Sequence, residues 1–495
     1  MATVSSVLQF AGTMLLVLLV FNLMILVHEW GHFLAARWRG LKIEKFQIWM
    51  GNPIWKKTYN GVQYGLGWLP LGGFVALPQM APMDAIEGKV DGAEKLAPIK
   101  PIDKIIVAFA GPLFSALLAL FFATLVSIYG RPLHPAERNP TIGYILPGGP
   151  AAKSELKMGD RILQIEGREV LGFLGAYRSV QWGIASSEKN PIEFLVQRPG
   201  EAQPRTIAVN APQGEGEADK EYARNSLWSR LWSRPPFRRV GIGPAVEYMV
   251  ESTKPHSPAE LAGLKKGDVI VSADGLPVMN ATSLFDMAAE GGGKPIKLGI
   301  KRDGAMLDVV MTPVKPVKTS ELKEMAEFFE KPNAGMVLSA ADPDAVILDK
   351  PNPFNLIYTM GATSIENLKA LIFRKSSVKI DHMSGPVGIL STYYSILKQD
   401  HAWQMVLFFS VMLNIGLAIF NLLPLPVLDG GHITMSLIEI IRGKAANIKI
   451  MEYLQLGCVL MLLSFVLYVS MKDFGGLLNK EPEIELKFAP PGHQG

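Results

Sequence analysis

Cysteine is nearly absent: the 495 residues hold one, Cys458, inside an apolar run. A single thiol excludes intrachain disulfides and any thiolate cluster around a metal. Dense blocks of Lys and Arg are absent too, and the formal net charge of +4 is mild. Nothing in the chain therefore tracks a phosphate backbone, and nucleic acid is not expected as a partner. Charge is missing altogether from four stretches, 7–27 (the core of an apolar run that continues to 36), 105–129, 403–428 and 453–471. Each is long enough to cross about 30 Å of hydrocarbon as a helix. A chain with 49% hydrophobic residues and four such runs is expected to be divided, with part of it in the lipid bilayer.

No Lys or Arg precedes the first run, and the run is longer than a cleavable leader needs, so it reads as a retained anchor. Cations cluster beside the spans in 37–104 (Arg37, Arg39, Lys42, Lys45, Lys56, Lys57, Lys100, Lys104) and after Leu428 (Arg442, Lys444, Lys449). The bias of cations towards the cytoplasmic side predicts that both loops are cytoplasmic and that the region between spans two and three lies on the opposite face, the periplasm in a Gram-negative cell.

That region, 131–400, has the composition of a soluble domain and repeats itself. The stretch 150–167, with Gly159-Asp160 near its middle, aligns without gaps to 258–275, with Gly267-Asp268, at an offset of 258 − 150 = 108 residues. Each copy reads as a short helix, a Gly-Asp turn, an alternating strand and a tight turn. The pattern resembles PDZ domains of the bacterial protease type, placed at 140–212 and 239–316 with a linker or loop at 213–238. A helical connection is expected over 317–400, with charged helix at 318–331, apolar helical spacing at 355–373 and a tight connection at 384–389. On the other side of the membrane, 61–79 alternates glycines with apolar residues and reads as a β-hairpin.

The chemistry is concentrated in His28-Glu29-Trp30-Gly31-His32. Residues 28 and 32 are one helical turn apart on one face, so two imidazoles can meet one metal ion, while Glu29 stands beside that ion as a general base. Charged residues in a membrane helix cost roughly 2.5–3.5 kcal/mol each and are seldom kept without a function. His28 is also too far before Arg37 to snorkel to the surface. Two histidines leave a catalytic zinc one protein ligand short. Asp429, at the end of the third span, meets the need for a further donor at the same depth. Pro424 and Pro426 before it break regular helix hydrogen bonding and predict an unwound segment at the metal. Asn421 supplies a neutral donor for a substrate carbonyl. His432 is a competing donor three residues after Asp429, whereas His134, His256, His382, His401 and His493 fall beyond reach of the site.

Together these motifs, the four spans and the tandem repeat resemble the site-2 protease family, in its bacterial, sigma-E-regulating branch. The resemblance implies a polytopic α-helical membrane protein of the inner membrane, with about four transmembrane helices, a membrane-associated β-hairpin and two periplasmic PDZ-like α+β domains. Its divisions would be 1–139 with the zinc motif and hairpin, 140–212, 213–238, 239–316, 317–400, 401–475 with spans three and four, and a tail at 476–495. It implies Zn2+ held by His28, His32 and Asp429, Glu29 as general base, and substrate binding by Asn421 and by the hairpin residues Tyr64, Gly65, Leu66, Gly67, Trp68 and Leu69. Expected partners are single-span membrane proteins such as anti-sigma factors, remnant signal peptides, and the bilayer. Trp30 stands where family members often carry Leu or Phe. A zinc transporter would need polar residues along several spans, and an idle scaffold would have no use for Glu29.

Overall fold

The computed structural model describes residues 4–80, 99–175, 178–214, 216–317, 331–340, 348–372, 376–444, 448–478 and 486–490. Among the described residues four helices are long and apolar enough to cross a membrane: Phe10–Trp38, Pro101–Tyr129, Ala402–Asn421 and Ile450–Leu478. The chain is thus a multi-pass membrane protein carrying several β-sheets. The first span lies within α1 (Val4–Trp38). The second is α2 (Pro101–Tyr129), which packs against α1 and three later helices. Its buried face is rich in small residues, Ala108, Ala110, Gly111, Ser115, Ala119 and Ala123, and such residues let helix backbones approach closely where no hydrophobic effect drives them together.

Between these spans, β1 (Lys45–Tyr59) and β2 (Val62–Ala76) form the hairpin. It begins earlier than the alternation from residue 61 suggested. Its turn is Asn60-Gly61, both at positive φ, the conformation a two-residue hairpin loop demands. The register doubles back, because Phe46 lies opposite both Tyr64 and Val75, and Gln47 opposite both Gly65 and Phe74. Residues 63–66 therefore lie inside the sheet and 73–76 form an edge. Phe33, Phe46, Val107 and Ala110 tie the sheet to α1 and α2.

Two β units follow. In the first, β3 (Ile142–Ile145) precedes β4 (Arg161–Ile165), helix α3 (Val180–Ser186), β5 (Ile192–Gln197) and β6 (Arg205–Val209), with β5 between β4 and β6. After β6 come α4 (Glu217–Arg224) and α5 (Leu227–Trp232), so 213–238 is not the plain linker its polarity suggested. Ser226 caps α5 through its side chain, a device that starts a helix without an apolar period. Then β7 (Ile242–Pro244) returns to pair with β3.

The second unit repeats this plan with β8 (Tyr248–Thr253), β9 (Val269–Ala273), helix α6 (Ala281–Glu290), β10 (Ile296–Arg302) and β11 (Ala305–Met311). Its β12 (Met336–Ala340) pairs with β8 in the same fashion. Each unit is thus completed by a strand beyond the boundary expected at 212 or 316. Residues 486–490 also pack on the second unit, where the Val317 N–H donates to the Lys487 carbonyl at 2.8 Å and Phe488 is buried.

The chain returns to the membrane through α7 (Pro353–Ile372), whose Leu356 and Met360 pack against α2 and the third span. The stretch read as a tight connection at 384–389 instead opens α8 (Pro386–Ile396), with proline at the first helical position, where its missing N–H costs nothing. The expected charged helix at 318–331 lies, except for Lys331, outside the described residues. The third span, α9 (Ala402–Asn421), ends seven residues before the expected Leu428, and Asp429 does not end it but begins a separate helix, α10 (Asp429–Arg442). Pro424 and Pro426 lie in the non-helical break between them. The last helix is α11 (Ile448–Leu478).

Candidate active site

Two helices meet at one point. Helix α1 presents His28 and His32 one turn apart, and the N-terminus of α10 presents Asp429. His28 Nε2 lies 3.3 Å from Asp429 Oδ2, His32 Nε2 lies 3.4 Å from Asp429 Oδ1, and the two Nε2 atoms are 3.3 Å apart. A tetrahedral ion with bonds of about 2.0–2.1 Å has donor–donor edges of roughly 3.3–3.4 Å, so the two imidazole nitrogens and the Asp429 carboxylate, which meets one nitrogen through each oxygen, have the spacing of a zinc site.

The far side of each ring fixes its orientation. His32 Nδ1 is 2.8 Å from the Val107 carbonyl and can only donate to it, which leaves the Nε2 lone pair directed at Asp429 and His28. His28 Nδ1 is 2.9 Å from Ser115 Oγ, itself fully buried. Helix α2 thus supplies both ring partners. Its Gly111 must remain bare, since an added Cβ would stand 2.2 Å from His32 Nε2 and 2.8 Å from His28 Nε2. Pro112, lacking an N–H, releases the Ala108 carbonyl on the wall of the site. Sequence reading passed over Ser115 and Gly111; the Gly-Pro pair in an otherwise aliphatic span was the available signal.

A cavity of about 260 Å³ opens on the triad and is lined by Glu29, Asn421, His432 and the strand residues 73–77. Glu29 lies against the edge strand, its Cγ being 3.4 Å from the position a Gly73 Cβ would take. Asn421 Nδ2 is 3.2 Å from His28 Nε2, at the point where α9 stops. His432 lines the cavity but stands outside the group of three converging donors. Among the described residues those three alone form a cluster of His, Cys, Asp or Glu able to hold a metal.

The hairpin residues from Tyr64 to Leu69 do not line this cavity; their place is taken by 73–77. Tyr64 packs against Phe33 and Phe46, a Cβ on Gly67 would stand 2.3 Å from the Met50 carbonyl oxygen, and Trp68 is exposed on the sheet. The doubled register explains the displacement, because it encloses 63–66 and leaves 73–76 at the edge. Trp30 stacks on Phe33 and meets Phe46 edge-on, so it joins α1 to the hairpin and points away from the metal donors.

The whole arrangement falls inside one homology. Residues 14–465 match the model of peptidase family M50. The chain belongs to that family. It is accordingly a zinc-dependent metallopeptidase, and the donor set fits the metal on its own geometry. Among its relatives, the regulator of sigma-E protease RseP of Salmonella typhimurium is 27% identical over 473 residues, covering 90% of this chain and 95% of that protein. RseP of Escherichia coli is 26% identical over 461 residues, 89% and 94% of the two chains. A Xylella fastidiosa relative that carries a zinc metalloprotease name is 26% identical over 459 residues, 90% of this chain and 96% of that protein.

Proposed function

We propose that this M50 peptidase hydrolyses peptide bonds within the membrane-spanning segments of single-span proteins, with anti-sigma factors as the physiological class and remnant signal peptides as a second. The observation that carries the reading is the convergence of His28, His32 and Asp429 among membrane-spanning helices, on a cavity bordered by a free strand edge. The names of the relatives support the regulatory context.

In this reading His28, His32 and Asp429 hold zinc. Bound there, zinc lowers the pKa of a water towards 7 and polarises the scissile carbonyl. Glu29, one position from a ligand and on the cavity wall, takes the proton from the attacking water and returns it to the leaving amine. The Asn421 amide donates to the substrate carbonyl as charge develops on its oxygen. A transmembrane helix hides each carbonyl in a hydrogen bond, and freeing one in lipid costs several kcal/mol unless new partners are offered. The edge at 73–76, next to Glu29, offers them by strand addition.

The cation-rich loops support a reading in which the zinc site lies towards the cytoplasmic side of an inner membrane and the two β units, as a PDZ-like tandem, lie in the periplasm. Among the described residues none between 131 and 400 lines the site, so in this reading that tandem governs access rather than chemistry.

Purified Glu29→Gln tests the assignment. It should keep about one zinc per chain while cleavage of a single-span substrate falls by about 10²–10⁴-fold, whereas His32→Ala should lose both. Loss of zinc from Glu29→Gln equal to that from His32→Ala would make Glu29 a ligand and overturn its role.

A further inference from the structure

Helix α5 sits where a soluble unit meets the end of a membrane span. It is held against α11 by buried polar groups: Lys472 Nζ donates to the Arg230 carbonyl at 2.6 Å and the Ser233 carbonyl at 2.8 Å. Two residues after α5, Arg234 donates to Asp473 at 2.5 Å. The backbones touch so closely that a Cβ on Gly475 would lie 1.8 Å from the Trp232 carbonyl oxygen.

The level of this junction follows from the span itself. From the exposed Tyr453 to Lys472 is nineteen residues, about 28 Å of helix, which matches the thickness of the hydrocarbon. Lys472 and Asp473 thus mark where α11 leaves the apolar layer. At the corresponding ends of α2 and α9, Tyr129 and Trp403 are half-exposed and meet edge-on with ring centres 5.0 Å apart, the kind of aromatic pair that gathers at a membrane interface.

What α5 turns outward is apolar. Trp228 is 69% exposed and Leu231 43% exposed, and on α11, just past Lys472 and Asp473, Phe474 and Leu477 are exposed too. The apolar surface of the span continues onto the soluble unit without a break in kind. We propose that α5 is a membrane-surface anchor, with Trp228 and Leu231 seated in the headgroup layer of the bilayer on the side of the β units. The anchor lies between β6 and the closing strand β7 of the first unit, so it fixes that unit's height above the spans. The inference rests on α11 crossing the bilayer and is independent of the zinc chemistry.

The test uses the full chain with Cys458→Ser, reconstituted in nanodiscs of phosphatidylethanolamine and phosphatidylglycerol, with a nitroxide attached at Trp228→Cys, at Leu231→Cys or, as an aqueous reference, at the exposed Met158→Cys of the first unit. Power-saturation electron paramagnetic resonance then compares collisions with oxygen and with a water-soluble nickel chelate. Insertion of about 5–10 Å should raise the oxygen-to-nickel ratio at 228 and 231 roughly threefold above that at 158. A ratio equal to that at 158 would place α5 in water and overturn the proposal. Shielding from both reagents would show that protein covers it and would overturn the proposal equally.

Discussion

The β units and the membrane site each bury a carboxylate, and they neutralise it in opposite ways. In the first unit Asp160 is held by Arg198 through two bonds of 2.8 Å, and in the second Asp268 is held by Arg302 through bonds of 2.6 and 2.7 Å. Each aspartate also accepts the backbone N–H three residues before it, from Lys157 and Lys265, and so closes the Gly-Asp turn of the repeat. A permanent cation makes these carboxylates parts of the scaffold. Asp429 instead faces two imidazoles, one of whose nitrogens it meets at 3.3 Å and the other at 3.4 Å. Neutral imidazoles offer two lone pairs to the same point as the carboxylate, and three lone pairs converging on one point want a cation between them. The difference between a structural and a metal-binding aspartate is thus visible in which partner atoms point at it.

Exchanging the charge for an amide should separate the two classes most sharply at the membrane site. Asp429→Asn keeps the shape and loses a ligand; bound zinc, measured by plasma mass spectrometry, should drop well below one per chain, with proteolysis lost alongside it. A variant that retained full zinc would erase the contrast. Asp268→Asn should do the reverse, leaving zinc content intact while lowering the stability of the second unit, because the two charge-assisted bonds from Arg302 are weakened. Hydrogen exchange of the β9 and β10 amides reads this, and protection unchanged from the parent would remove the scaffold role.

Acid should give the smallest effect. Burial alone would push the Asp268 carboxyl up, but the Arg302 guanidinium and the Lys265 N–H outweigh it and hold the group below the ordinary carboxylate range. Its contribution to stability is therefore complete above about pH 4, the unfolded value, and disappears as the pH falls through the lowered folded value. A pH series of amide protection factors in the second unit should bend downward below pH 4 in the parent and less so in Asp268→Asn. Identical profiles would mean that other carboxylates govern the acid limit.

The metal donors were legible because their chemistry forces local patterns: two histidines a turn apart, and an aspartate after two prolines in an apolar run. The repeat was legible for a related reason, since the turn at Asp160 and the turn at Asp268 each need the same glycine and aspartate. What escaped were pairings set over long distances. β7 and β12 are short, follow polar stretches, and gain their identity only from β3 and β8, about 100 and 90 residues earlier in the chain. The strand edge beside Glu29 was misplaced for the same reason, because alternation describes a strand's faces and says nothing about which of its sides stays unpaired. Gly111 and Ser115 are ordinary small residues until α1 is laid against α2.

Residues 486–490, bound to the second unit, give the molecule a mechanical property that an open string of domains would lack. The chain leaves that unit after β12, passes down α9 and up α11, and comes back to where it started. Between Leu478 and residue 486 are eight residue steps, which can reach at most about 28 Å. The second unit and the last span thus form a closed harness, since that reach limits how far the one can part from the other.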